Sequence, residues 1–318
     1  MTDIRPEPLL VEVTRGALVE SRHRAHCAVA DAAGALVLAR GEMERPVYPR
    51  SAVKPLQALP LLETGAADAF GLGPREIALA CASHRGEPMH LAAVEAWLRR
   101  LGLSAQDLEC AAPPAALGHN CSGKHAGFLT TARHLGEPTR GYIEPGHPVQ
   151  QRVRAVLAEM TGCDLSRAPA AIDGCGIPLY GIPLPGIARA MARLADPAGL
   201  AGARAAAARR ILGAMAQEPL MVAGSGTFTS ALLAAAGSDA ALKPGAEGVF
   251  CAALPGLGLG VALKVEDGAA RAAEVAMGAL LCRLGALDEG AQQKLAPLLR
   301  PRLANAAGRE VGEIRAAW

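Results

Sequence analysis

The stretch Val249-Phe-Cys-Ala-Ala-Leu-Pro-Gly-Leu-Gly-Leu-Gly-Val-Ala-Leu-Lys264 reads as two apolar strands, 249–254 and 259–264, linked through Pro255-Gly256. The turn Asp267-Gly268 follows, then a helix is expected around Val275 to Leu284. At the other end of the chain, Leu9-Leu-Val-Glu-Val13, Ala25-His-Cys-Ala-Val-Ala30 and Ala35-Leu-Val-Leu38 read as a strand meander. The turn signal Asp31-Ala-Ala-Gly34 joins the last two. Between these ends the pattern is helical. Ser51 is expected to cap a helix running through Glu63 with a kink at Pro60, and Pro74 opens a second helix toward Cys81. A third runs from Pro88 to Leu101, with Leu91, Val94, Trp97 and Leu98 at helical spacing; Ala195 to Gln217 is an Ala/Arg-rich helical stretch. The expected fold class is α/β: one domain over residues 1–318, its antiparallel sheet assembled from about 9–50 and 245–285, with a helical region inserted.

The composition narrows the function. Of 318 residues 51% are hydrophobic but only 3% aromatic, so the core is packed from Ala, Leu and Val. A net charge of +2 with interspersed acids and bases does not resemble a nucleic-acid binder or a polybasic membrane patch. No apolar run approaches a membrane span, and the N-terminus has no apolar signal core, so a reducing cytoplasm is the expectation. Eight cysteines in a chain of this length then read as thiols rather than a disulfide framework.

Lysine is scarce: Lys54, Lys124, Lys243, Lys264 and Lys294 stand against twenty-seven arginines. An amine can lose its proton when desolvated, whereas a guanidinium cannot. Lysines kept beside serines, cysteines and glycines therefore suggest bases or ligands, and an enzyme. Ser51 and Lys54 stand at i and i+3, close enough for the amine to reach the hydroxyl. Ser83, in Cys81-Ala-Ser-His-Arg-Gly-Glu87, sits among small residues, and Lys264 on its late strand is a candidate neighbour. Cys121 and Lys124, in His119-Asn-Cys-Ser-Gly-Lys-His125, together with Cys175 in Asp173-Gly-Cys-Gly-Ile-Pro178, suit either a zinc site, a cysteine nucleophile or plain thiols. Gly224-Ser-Gly226 lacks the ending of a phosphate loop.

Arg50-Ser-Ala-Val-Lys-Pro55, Ala82-Ser-His-Arg-Gly-Glu87, His119-Asn-Cys-Ser-Gly-Lys-His-Ala-Gly127 and Asp173-Gly-Cys-Gly-Ile-Pro-Leu179, in that order, resemble the class 3, Rhizobium etli-type L-asparaginases of the asparaginase II family. The likeness runs from about residue 9 to residue 285. It implies a fold like serine β-lactamases, penicillin-binding proteins and serine glutaminases, and a homodimer acting on the small molecule L-asparagine. Two Ser-Lys pairs are implied, Ser51 with Lys54 and Ser83 with Lys264, beside a zinc ion held by Cys121, Lys124 and Cys175. Arg50, Asn120, His125, Asp173 and Cys251 are implied to line the pocket. One segment departs from the family pattern: Ser225-Gly-Thr-Phe-Thr229 lacks the arginine and acid expected there. Alternatives are a β-lactamase, peptidase or other small-amide hydrolase, or an inactive zinc-binding protein of the same fold.

Overall fold

The computed structural model describes residues 2–112 and 114–318. Its centre is a nine-stranded sheet, numbered here in chain order: β1 (Asp3–Arg5), β2 (Leu9–Arg15), β3 (Leu18–Asp31), β4 (Leu36–Arg40), β5 (Ala241–Pro244), β6 (Val249–Leu254), β7 (Leu259–Val265), β8 (Arg302–Ala304) and β9 (Glu310–Ala316). The main path runs β8-β9-β2-β3-β7-β6-β5. The pivot is β3, fourteen residues long. Its first half pairs with β2, and Cys27–Ala30 then pairs with β4 on one edge while β7 runs along the other. All pairings are antiparallel except β1 with β4. A sheet built from both chain ends is therefore what forms, and β6 and β7 pair in full register from Val249 opposite Lys264 to Leu254 opposite Leu259.

The last two strands extend the expectation. Nothing past residue 285 was assigned to the sheet, yet β9 pairs with β2 and carries β8 on its far edge. Its sequence, Glu-Val-Gly-Glu-Ile-Arg-Ala, is too polar to read as a core strand; only Glu313 and Ile314 are buried.

The helix expected from Ser51 to Glu63 is broken. Arg50–Val53 is a 3-10 turn capped by Pro49, followed by α1 (Lys54–Gln57) and a separate segment, Leu59–Glu63. Pro55 and Pro60 each fall in the first turn of the segment they open, where the missing N–H costs nothing. Further on, α2 (Pro74–Ala80), α3 (Ser122–Leu135), α4 (Leu184–Ala195) and α5 (Ala270–Arg283) carry the core. The Ala195–Gln217 stretch divides into the end of α4, a 3-10 turn at Pro197–Gly199 and the helix Gly202–Gln217. Among the described residues no helix is long and apolar enough to cross a membrane.

Gly260 through Leu263 are all buried, so both faces of β7 are covered. α4 crosses the sheet over β7, β3 and β6, while α5 packs on β7, β9, β6 and β2. The α4 contact demands glycine: a Cβ at Gly260 would lie 2.0 Å from the Ala188 carbonyl oxygen and 2.2 Å from the Ala192 nitrogen. Gly260→Val should destabilise the fold by about 3 kcal/mol, because backbone must move to admit the side chain. Gly202→Ala, at a helix start with open space around it, should stay within about 1 kcal/mol of the parent. Denaturant unfolding of both variants checks this.

Candidate active site

Two lysines meet on one serine. Lys54 is the first residue of α1, and Lys243 lies on β5; both are fully buried. Lys54 Nζ lies 3.0 Å from Ser83 Oγ and Lys243 Nζ lies 2.8 Å from it on a second side. Ser83 follows α2 in an extended stretch, where its N–H donates to the Val222 carbonyl at 2.9 Å. Lys54 also donates to the carbonyls of Ala82 and Asn120, and Lys243 to that of Pro244. Burial disfavours charge on both amines. It pushes the Lys54 pKa down, and pushes Lys243 well down with further help from the Lys54 charge.

Two pairings expected from the sequence are corrected. Lys264 does not reach Ser83: its amine donates to the carbonyls of Glu247 and Val265 at the end of β7, and Lys243 takes the place beside the serine. Lys243 is two strands away from β7, across β6. Lys54 makes no hydrogen bond to Ser51, because the amine is drawn to Ser83 and the neighbouring carbonyls. The Ser51 side chain is half-buried, and among the described residues its hydroxyl has no hydrogen-bond partner. Lys243 was open to the same reasoning as the other lysines, being one of only five, in Leu242-Lys-Pro-Gly245 just before the strand at Val249.

A second cluster adjoins the first. Cys121 precedes α3 and Lys124 lies in its first turn. A Cβ at Gly123 would lie 2.4 Å from the Leu79 carbonyl oxygen, so this glycine lets α3 press onto α2 and brings the two clusters together. Lys124 Nζ lies 3.1 Å from Cys175 Sγ, and Cys121 Sγ lies 2.9 Å from the side-chain amide of Asn120. A hydrogen bond from Cys175 pushes the Cys121 pKa down, burial opposes this, and the Lys54 and Lys124 charges add to the lowering. Cys175, holding the shared proton, is pushed up. Burial works against charge on Lys124, but the Cys121 and Cys175 sulfurs outweigh it and hold its pKa up. Among the described residues, no group of three or more His, Cys, Asp or Glu side chains is placed to hold a metal. A metal here would therefore depend on Lys124 as third donor beside the two sulfurs.

The remaining expected residues surround these clusters. Arg50 Nε donates to Asp173 Oδ1 at 2.9 Å, and Asp173 also accepts from the Gly174 N–H. His125 is fully buried in α3, with Nδ1 2.8 Å from the Tyr142 hydroxyl and Nε2 without a partner. Cys251 on β6 pairs with Lys243 across the sheet and is a buried thiol, its pKa pushed up to about 12 by desolvation. The atypical 225–229 segment is tied back by its neighbours: the Ser225 N–H and hydroxyl each donate to Glu87 at 2.8 Å, and Arg85 donates to the Ser225 carbonyl. An arginine and an acid thus do serve this loop, but from 85–87.

The family model described as L-asparaginase II matches residues 11–316. Similar solved structures are a β-lactamase from Mycobacterium bovis and one from Burkholderia ambifaria. The first is 14% identical, with 83% of this chain and 95% of that one covered and a TM-score of 0.43. The second is 19% identical, with 81% and 94% covered and a TM-score of 0.38. No curated protein matches the chain.

His84 supports the site from behind. Its Nδ1 accepts from the Gly86 N–H, so Nε2 carries the proton and donates to Ser122 Oγ at 2.9 Å. Burial, then the neighbouring His90 and Lys54, pushes its pKa down to about 3. The unfolded chain takes up a proton here as pH falls below about 6.5, while the folded chain does not. Stability should therefore be lost as pH falls from 6.5 toward 3, His84 accounting for about 2 kcal/mol at pH 5. Urea unfolding of the parent and His84→Asn at pH 7 and pH 5 checks this: the variant should lose that share of the pH dependence.

Proposed function

The chain belongs to the L-asparaginase II family, and we propose that it hydrolyses the side-chain amide of L-asparagine to L-aspartate and ammonia. The reading rests most on the line Lys54–Ser83–Lys243, in which two buried amines of depressed pKa share one hydroxyl. A hydroxyl has one proton. It accepts from one amine and donates to the other, so Ser83 is suited to relay a proton between them. Ser51, whose hydroxyl has no hydrogen-bond partner among the described residues, is next to Arg50 in sequence and three residues before Lys54.

In this mechanism Lys54 takes the Ser51 hydroxyl proton as the oxygen attacks the amide carbon. The proton then passes through Ser83 to the amide nitrogen, the C–N bond breaks, and ammonia leaves an aspartyl ester on Ser51. Water attacks that ester, giving a proton to the lysine, which returns it through the same relay to Ser51 as the ester bond breaks; the acid formed loses its remaining proton to solvent. Arg50, held by Asp173, stands beside Ser51 at the edge of this group. A rival reading makes Ser83 itself the nucleophile, drawing on the same two hydrogen bonds.

The zinc ion implied by the resemblance fits the donors present, two sulfurs, one of them easily ionised, and the Lys124 amine, whose proton, favoured while the site is without metal, the ion would have to displace. Cys121, Lys124 and Cys175 would hold it, and zinc there would supply a positive charge that orients the polar end of the substrate. Dialysis against a chelator should then raise KM more than it lowers kcat for asparagine; a collapse of kcat alone would contradict that role.

The direct test is ammonia release from L-asparagine and L-glutamine by the metal-replete protein. Turnover of asparagine well above glutamine is expected, and silence on asparagine would overturn the proposal. Lys243→Met should lower kcat about 10²- to 10⁴-fold, the usual weight of a proton-transfer group. Lys294→Met, on an exposed helix position, should leave it unchanged.

A further inference from the structure

Among the described residues, two other than glycine hold a left-handed backbone, Arg50 (φ 51°) and Glu247 (φ 60°). Both line the same cavity of about 260 Å³. Left-handed backbone carries a steric cost for residues with a Cβ and persists where the surroundings hold it, most often around binding sites. The cavity lies between the 42–50 segment, the end of β7, and the 245–248 loop that follows Lys243. Neither serine, nor any of Cys121, Lys124 and Cys175, lines it. Arg50 is the shared wall: Nε is committed to Asp173, while among the described residues its two Nη groups make no hydrogen bond.

The charges around the cavity are unevenly satisfied. Glu266 is paired with Arg24 and His26, and Glu42 lies 3.8 Å from Arg45. Among the described residues Lys264 hydrogen-bonds only to backbone carbonyls and neither it nor the Glu247 carboxylate forms a salt bridge, although the Glu247, Glu266 and Asp267 charges act on Lys264 from further off. Burial pushes the Lys264 pKa down, so this partly desolvated ammonium stands to gain from an anion. What is left over is one ammonium and the Nη donors of Arg50 for a carboxylate, and one carboxylate for an ammonium. Pro46, Val47 and Leu184 supply the apolar remainder. The volume lies just below the range that suits drug-sized ligands, as expected for something smaller.

We propose that this cavity is a second site, which binds the zwitterionic head of a free α-amino acid. Arg50 and Lys264 take its carboxylate and Glu247 its ammonium. The choice of amino acids below rests on the function proposed above; the site itself does not. A substrate awaiting entry and a product leaving share this chemistry. Because Arg50 adjoins Ser51 and holds Asp173, occupancy of the cavity acts directly on the catalytic segment.

Calorimetric titration of the full-length, metal-replete protein with L-aspartate tests this. The parent should bind two per chain. Glu247→Gln and Lys264→Gln should each weaken one of the two at least about fivefold and leave the other. Succinate, which lacks the ammonium, should be insensitive to Glu247→Gln. Glu247→Gly relieves the left-handed backbone, so it should raise Tm while losing the same binding event, which separates loss of the site from misfolding. No binding, or binding unchanged in both Gln variants, overturns the proposal. Titrating Ser51→Ala/Ser83→Ala with L-asparagine separates the sources: a tighter Glu247-dependent event than with aspartate marks substrate entry, and a weaker one product exit. Glu247-dependent binding without ammonia release would remove the proposed function and keep the cavity; ammonia release with Glu247-independent binding would do the reverse.

Discussion

Removing two amines from water is the constraint on which the site depends. Lys54 and Lys243 are fully buried, and burial disfavours the charged form of each amine, pushing both pKa values down. Among the described residues neither has a carboxylate partner; their hydrogen bonds go to Ser83 and to backbone carbonyls. The surrounding fold has to supply that desolvation. The sheet brings Lys243 in from the C-terminal half of the chain, on the edge strand β5, while the broken helix after Pro49 delivers Lys54 from the N-terminal half. Arginine in either place would stay charged.

The second cluster is built on the opposite electrostatic logic. Lys124 is equally deprived of water, but Cys121 and Cys175 face it and favour its charge, as Lys124 favours thiolate at Cys121. Two lysines whose pKa falls and one whose pKa is held up thus share a small region: Cys121 favours charge on all three, but only at Lys124, with Cys175 at 3.1 Å, do the sulfurs outweigh burial. Arg50 and Asp173 close the group as an ordinary ion pair, partly exposed, whose worth lies in aiming the guanidinium more than in stability.

Much of this was legible in the sequence, and the failures have definite causes. The strands at 249–254 and 259–265 were readable because apolar runs end at Pro and Gly; the α/β sheet assembled from both ends followed from them. The C-terminal strand Glu310–Ala316 was not, because an edge strand of mixed polarity carries little periodic signal. Ser83, Cys121, Lys124 and Cys175 could be singled out because unusual residues stand in glycine-rich surroundings. The choice between Lys243 and Lys264 was beyond that reasoning. Both are strand-borne lysines, and which one turns inward depends on strand order, set by pairings more than two hundred residues apart. The i, i+3 spacing of Ser51 and Lys54 says nothing of a better partner, Ser83, arriving from a loop elsewhere in the chain.

The central claim is that Ser51 forms the covalent bond while Ser83 passes the proton. Rapid acid quenching during turnover of L-asparagine, followed by proteolysis and mass spectrometry, would locate the aspartyl group on the chain. The mechanism predicts it on Ser51, and predicts that Lys243→Met, by slowing the relay, changes how much accumulates but not where. An aspartyl group on Ser83 would contradict the assignment and make the twice-bonded serine the nucleophile.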